Sequence, residues 1–278
     1  MIEEQPLLKD KVIKKIFTDK DLIEYQIMII CAAFGFDRKD IVDLKIIDPK
    51  VSNNIKSKDV EMDIGYETND KYINIEINYN KYKELFIKND YYICNLIIRQ
   101  RHPGESYKDL KKVYQLNIDN FDCFNANKFI YKSMLMETSL HKLRDDLVTI
   151  VDVNLAFLIE TDYNIIRKEK DRSLEKLLYI FICKENNILD DIYKNDEIME
   201  KVREKLSDLD SEFNDGLYYN RQELLNRGAF DEGKKETIKE VAEKMLEESM
   251  DEDLIIELLG ITKEELTEIK AEIETSEN

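Results

Sequence analysis

Two carboxylates, Asp63 and Glu76, lie in the stretch KDVEMDIGYETNDKYINIEINYN, Lys58 to Asn80. Val60, Met62, Ile64 and Tyr66 alternate with Glu61, Asp63, Gly65 and Glu67, and Ile73, Ile75, Ile77 and Tyr79 alternate with Asn74, Glu76, Asn78 and Asn80. A period of two predicts a pair of strands, each with one apolar and one polar face. With Asn69-Asp70 as a two-residue turn, opposed residue numbers sum to 139, which sets Asp63 across from Glu76. Opposed Cβ atoms in a hairpin are about 4.5–5.5 Å apart, close enough for like charges to cost stability unless a proton or a cation intervenes. Hard divalent ions such as Mg²⁺ or Mn²⁺ bind through one or two carboxylates and retain waters, so this pair suits metal-assisted hydrolysis of a phosphodiester. The same pattern also fits a polar face with both carboxylates in water, and a register slip of two would part them.

Beyond the hairpin, Lys81, Lys83, Lys88, Arg99 and Arg101 are interleaved with Tyr79, Tyr82, Tyr91 and Tyr92. This set reads either as a phosphate-binding groove or as a helix with a tyrosine-rich buried face and a basic solvated one. His102 and His141 have no identifiable partner and read as loop residues. Cys31, Cys94, Cys123 and Cys183 are far apart with no Cys-x-x-Cys pair, which argues against a zinc site and for reduced, hydrophobe-like cysteines.

The elements that must position these groups follow from pattern. LLKDKVIKKIF predicts a short helix buried through Val12, Ile13, Ile16 and Phe17, and Asp21 to Phe34 a helix apolar nearly all round, stopped by Gly35. Lys81 to Gln100 reads as one long helix ending before His102-Pro103-Gly104, and KKVYQLNIDNF, FIYKSMLMET and DLVTIVDVNLAFL as strands. From about Ser173 the period is helical, with no further alternating segment. Gly228 and Gly233 bracket a boundary, beyond which Ile238, Val241, Ala242, Met245 and Leu246 share a face. Two more helices meet at Gly260, the second opened by a Thr262/Glu265 capping box.

The 278 residues include only seven glycines and three prolines, and they suffice for one large core with an accessory region. Apolar runs are too short for a membrane span and the first residues lack the blocks of a secretion signal, so a cytoplasmic protein is expected. Residues 1–150 carry 25 acidic and 24 basic side chains, whereas residues 151–278 carry 35 and 18, which accounts for most of the net charge of −18. A polyanion would be repelled by the rear half, so any DNA contact belongs to the front. The last helix, with Glu264, Glu265, Glu268 and Glu272 against Lys263 and Lys270, is too acidic for a DNA-reading helix and suits dimerisation or a protein partner.

Several blocks in order resemble the PD-(D/E)xK nuclease superfamily and, within it, the Rpn family of recombination-promoting nucleases, also described as putative transposases. They are the opening helix Asp10-Lys11-Val12-Ile13-Lys14-Lys15-Ile16-Phe17, Asp63, the segment Ile73-Asn74-Ile75-Glu76-Ile77-Asn78, Tyr91-Tyr92, Gly104-x-x-Tyr107 and Leu110-Lys111-Lys112-Val113, with a helical tail from Gly233-Lys234-Lys235 to Ile269. The resemblance implies an α+β fold, a restriction-endonuclease-like mixed sheet flanked by helices and followed by an all-helical C-terminal region. It divides the chain into a nuclease-like core over 1–160, a helical extension over 161–232 and an acidic helical tail over 233–278. It implies a DNA endonuclease with Asp63 and Glu76 on Mg²⁺ or Mn²⁺, Asn78 as the third catalytic residue and Asp10 as an outer acidic contact. Met62 stands where the superfamily often has Pro. Asn78 stands where it has Lys and this branch usually Gln, and a neutral, shorter amide can only hydrogen-bond where Lys would place charge. Lys81 or Lys83 could reach in from the next helix instead. The alternatives are a catalytically weak or inactive nuclease fold that binds DNA or protein, and a purely structural acidic protein.

Overall fold

The computed structural model describes residues 7–47, 50–51, 60–100, 106–212 and 217–219 and, in the C-terminal stretch, 238–239, 241–246, 250–259, 261–263, 266–267 and 269–270. The chain forms two compact units, Met1–Arg221 and Gln222–Asn278. Helix α1 (Asp10–Thr18) buries Val12, Ile13, Ile16 and Phe17, the stripe that its sequence predicts. Helix α2 (Ile23–Phe34) is buried on most sides and ends where Gly35 adopts φ 75°, a left-handed conformation that costs glycine little.

Six strands form the central sheet: β1 (Lys45–Ile47), β2 (Ile64–Glu67), β3 (Lys71–Asn78), β4 (Lys112–Asp119), β5 (Ile130–Met134) and β6 (Val148–Asn154), in the spatial order β1-β2-β3-β4-β6-β5. β1-β2-β3 are antiparallel, β3-β4-β6 parallel, and β5 closes the far edge antiparallel to β6. The parallel step from β3 to β4 requires a crossover, which α3 (Leu85–Ile98) provides. This is the mixed, helix-flanked α+β architecture expected of a restriction-endonuclease-like fold. The hairpin register is also as the turn predicts: Ile64 pairs with Ile75 and Gly65 with Asn74, and the Thr68 amide donates to the Lys71 carbonyl.

One sheet face is apolar, with Ile64, Tyr66, Ile73, Ile75, Ile77, Leu116, Ile118, Val151 and Val153 all buried. Tyr66 donates its hydroxyl to the Phe17 carbonyl, tying this face to α1. The other face is covered by α3, where Met62, Ile93, Leu96 and Val113 form a cluster joined by Ile47, Tyr72, Tyr92, Ile97, Val148 and Ile150. Met62 thus leaves the alternation that would set it beside Ile64 and Tyr66. The chain bends at residue 63, and the side chain folds back over Gly65. The polar face of the hairpin is not solvated, because α3 lies on it.

Other elements differ locally from the sequence pattern. α3 starts at Leu85 rather than Lys81. The strand over DLVTIVDVNLAFL stops at Asn154, whose side chain accepts from the Phe157 amide and caps α4 (Leu155–Ile159). An extended segment does follow Ser173, since Tyr218–Tyr219 pairs with Leu7–Leu8. Helices α5 (Tyr163–Lys168), α6 (Leu174–Tyr179), α7 (Asn186–Ile192) and α8 (Glu197–Glu212) belong to the same compact unit as the sheet. In the second unit Ala242, Ile255 and Leu266 form a core with Met245, Leu246 and Ile269. Gly104, Gly228, Gly233, Gly260 and the Glu265 capping position lie outside the described residues. No helix among the described residues is long and apolar enough to cross a membrane.

A methyl group added at Gly65 would fall 2.7 Å from Ile47 Cγ1 and 3.1 Å from Met62 Cε. Gly65→Ala is expected to cost about 1–3 kcal/mol in denaturant unfolding. Combined with Ile47→Ala it should cost clearly less than the sum of the two single changes, the signature of a shared clash.

Candidate active site

The hairpin ladder stops at Ile64, and there two carboxylates replace carbonyls as acceptors. The Asp63 amide donates to Glu76 Oε1 at 3.1 Å, and the Ile77 amide donates to Asp63 Oδ2 at 2.9 Å. Each acid is therefore held by the other's strand. Asn74 Nδ2 adds a third hydrogen bond, to Glu76 Oε1 at 3.1 Å. The remaining oxygens face ammonium groups: Lys14 Nζ, from α1, is 2.6 Å from Asp63 Oδ1, and Lys88 Nζ, from α3, is 3.2 Å from Glu76 Oε2. The second pair is at ion-pair distance without hydrogen-bond alignment, so Glu76 Oε2 keeps an unused acceptor site.

Glu76 is fully buried, and burial followed by the Asp63 charge pushes its carboxyl up to about 6; Lys88 and the two hydrogen bonds to Oε1 restrain the rise. Burial opposes the charge on Lys88, but the Glu76 carboxylate and the Tyr82 and Tyr92 hydroxyls outweigh it and hold the ammonium well above its ordinary range. Lys88 also sits over the Tyr92 ring, 5.2 Å from its centroid. The cations nearest the acids thus come from two helices on opposite faces of the sheet.

The other candidate residues separate. Asn78 is buried and donates from Nδ2 to Asp119 Oδ1 at 2.8 Å. Asp10 opens α1 one turn before Lys14, on the same side of the helix. Lys81 bonds the Asp122 carbonyl and Asn125 Oδ1, so it secures a loop and does not approach Glu76. Lys83 is exposed in the turn before α3. Arg99 stacks over Tyr72, at the opposite end of β3 from Asn78. Arg101 lies outside the described residues. Of the basic set, Lys88 alone is seen at the carboxylates, and Lys14 was not among the candidates.

A second feature escaped the sequence reading. On the face beneath α3, central strands β3, β4 and β6 carry Asn74, Glu76, Asn78, Gln115, Asn117, Asp119 and Asp152, all buried. Parallel central strands are normally apolar on both faces. Here amides bridge the row: Gln115 Nε2 donates to Asn117 Oδ1 at 2.9 Å, and Asn117 Nδ2 to Asp152 Oδ1 at 2.7 Å. At its end Asp119, Cys123 and Asp152 bring ligand-type atoms within 4.8 Å of one another, a group that could hold a metal ion. Burial, with the Asp152 charge, pushes Asp119 up to about 8 against the Asn78 hydrogen bond, and burial raises Asp152 as well. The Cys123 thiol is pushed up to about 12 by burial and by the Asp152, Asp119 and Asp122 carboxylates. The legible signal was Gln115-x-Asn117-x-Asp119 and Asp152 in otherwise β-branched strands.

Residues 7–229 match the family model of the PD-(D/E)XK nuclease family transposase. The chain belongs to that family. No curated protein and no solved structure matches it. The match to the PD-(D/E)XK nuclease family takes in the whole sheet and every helix from α1 to α8, and it ends before the Ala242–Ile255–Leu266 core.

Asp119 gives a pH signature. In the unfolded chain it releases its proton near 3.8, whereas in the fold it keeps it to about 8, so stability is fully present below 3.8 and is lost progressively as pH rises through that window. In the presence of chelator, thermal unfolding from about pH 5 to about pH 8 should show a smaller loss of Tm for Asp119→Asn than for the unaltered protein.

Proposed function

We propose that the protein is a metal-dependent DNA endonuclease of the recombination-promoting type, hydrolysing phosphodiester bonds with Mg²⁺ or Mn²⁺ held by Asp63 and Glu76. The observation that carries this reading is the reciprocal lock of the two carboxylates. One oxygen of each is fixed by a backbone amide, and the other, Asp63 Oδ1 and Glu76 Oε2, faces a positive charge. Two hard oxygen donors in a place that favours cations fit a Mg²⁺-type ion. Bound there, the ion would supply charge neutralisation at phosphorus and a more acidic water.

The chain's own groups divide the remaining work. Lys14 and Lys88 are 39% and 33% exposed at their side chains, so both can swing from the carboxylates toward a phosphate while their helices stay in place. Lys88 supplies the positive charge that the family pattern puts at the position of Asn78, and it stabilises the charge that develops on the phosphoryl oxygens. Asn78 gives one of its two Nδ2 hydrogens to Asp119, which fixes the amide with its carbonyl oxygen available to accept a hydrogen bond from the attacking water. Asp10 acts as an outer acidic contact on the α1 side. DNA meets the near-neutral front of the chain, while the acidic C-terminal helices serve as a protein-contact module in a cytoplasmic setting.

The commitment of one Asn78 side-chain amide hydrogen to Asp119, in a residue with no charge to place at the water, favours a second reading, a nuclease fold that binds DNA without cutting it. Supercoiled plasmid separates the two. With Mg²⁺ or Mn²⁺ the protein should nick or linearise it, Asp63→Ala and Glu76→Ala should abolish cleavage, and chelator should do the same. Lys88→Ala should lower the rate by about 10²–10³-fold, the scale for removing one charge-stabilising group, with partial recovery in Lys88→Arg. A well-folded protein that retards DNA in a gel but leaves it uncut with either ion would establish the binding reading.

A further inference from the structure

We infer that Asp119, Cys123 and Asp152 form a second metal site, distinct from the Asp63–Glu76 pair and suited to a borderline transition ion of the Zn²⁺ class. The three come from the end of β4, the loop after it and the end region of β6, at the carboxyl ends of adjacent parallel strands. Their exposures are 1%, 5% and 2%, so none is a surface acid that water could satisfy.

The ligand-type atoms lie within 4.8 Å of one another. Zinc–oxygen and zinc–sulfur bonds of about 2.0–2.3 Å place tetrahedral ligands roughly 3.5 Å apart, so side-chain rotations of about 1 Å close the site. Independently of this proximity, Asp119 Oδ2 is buried and has no hydrogen-bond partner. Asp119 Oδ1 is turned to Asn78 on β3, which makes Oδ2 the oxygen left for the cluster. A buried carboxyl oxygen without a hydrogen-bond partner is costly in either protonation state, and an ion would satisfy it by displacing the proton that Asp119 otherwise keeps.

The surroundings resemble the outer support of a metal centre. Each carboxylate is gripped through one oxygen by an amide of the strand beside it, Asp119 by Asn78 and Asp152 by Asn117, and such contacts orient ligands. The loop that presents Cys123 is pinned by its neighbour: the Asp122 carboxylate accepts from the Phe124 and Asn127 amides and the Tyr131 hydroxyl, and Lys81 bonds the Asp122 carbonyl. One thiolate with two carboxylates selects a softer ion than the all-oxygen pair Asp63–Glu76. With three protein ligands, the fourth position falls to water.

Neither the ion class nor its test requires DNA cleavage. The full chain, stripped with chelator, would be titrated with Zn²⁺ alone by calorimetry and with Co²⁺ by absorption. Expected are saturable Zn²⁺ binding, a rise in Tm on loading, and a thiolate-to-Co²⁺ charge-transfer band. Cys123→Ser should abolish the band and weaken Zn²⁺ by at least ~10-fold, Asp152→Asn should weaken Zn²⁺ comparably, and Glu76→Gln should retain both signals. Absence of a thiolate band in the wild-type chain with Co²⁺ would overturn the proposal with no need of a variant. So would a band and a Zn²⁺ affinity that survive in folded Cys123→Ser, or that vanish in Glu76→Gln.

Discussion

The amides of Asp63 and Ile77 donate to carboxylates where a longer ladder would have offered carbonyls, and the geometry of the site depends on that exchange. Because the acceptors are side chains, the two strands stay joined at the point where their backbone pairing ends. Because the acceptors are charged, the site needs positive partners, and α1 and α3 deliver Lys14 and Lys88 from opposite sides. Removing either strand's contribution would leave a carboxylate buried without its donor, which is far more costly than losing a surface ion pair.

The same constraint explains why the central strands are half polar. Glu76 at full burial needs donors at its own depth. Asn74 meets it directly, and the row continues sideways through Gln115 and Asn117 to Asp152. A conventional apolar face would pack α3 more tightly but would leave Glu76 isolated. Met62, Ile93, Leu96 and Val113 supply the apolar part of the α3 contact, and Tyr92 joins that cluster to Lys88 beside the acids.

Much of this was legible in the sequence where the relevant interactions are local. The Asn69-Asp70 turn and two clean alternations specify the register, and the spacing of Val12, Ile13, Ile16 and Phe17 specifies the buried side of α1. What alternation cannot say is whether a polar strand face meets water or a later helix, so the burial of Asn74 and Glu76 was not visible. Lys88 shows only that a helix carries a cation; its reach to Glu76 depends on how α3 crosses the sheet. Cys123 is buried and reduced, as a small hydrophobe would be, but its closeness to Asp152 was not visible because a parallel pairing between distant segments brings the two together.

The pairing of Leu7–Leu8 with Tyr218–Tyr219 has a consequence for synthesis on the ribosome. The Leu8 amide also donates to the Phe181 carbonyl, and Phe181 packs among the rings of Phe17 and Tyr25. The partners of the first helix are therefore translated late, about 10–40 s after it at 5–20 residues per second. For that interval α1 has only the sheet face that Tyr66 ties to it and lacks its late partners, and it is then that a chaperone or a misfolding partner would meet the exposed apolar surface.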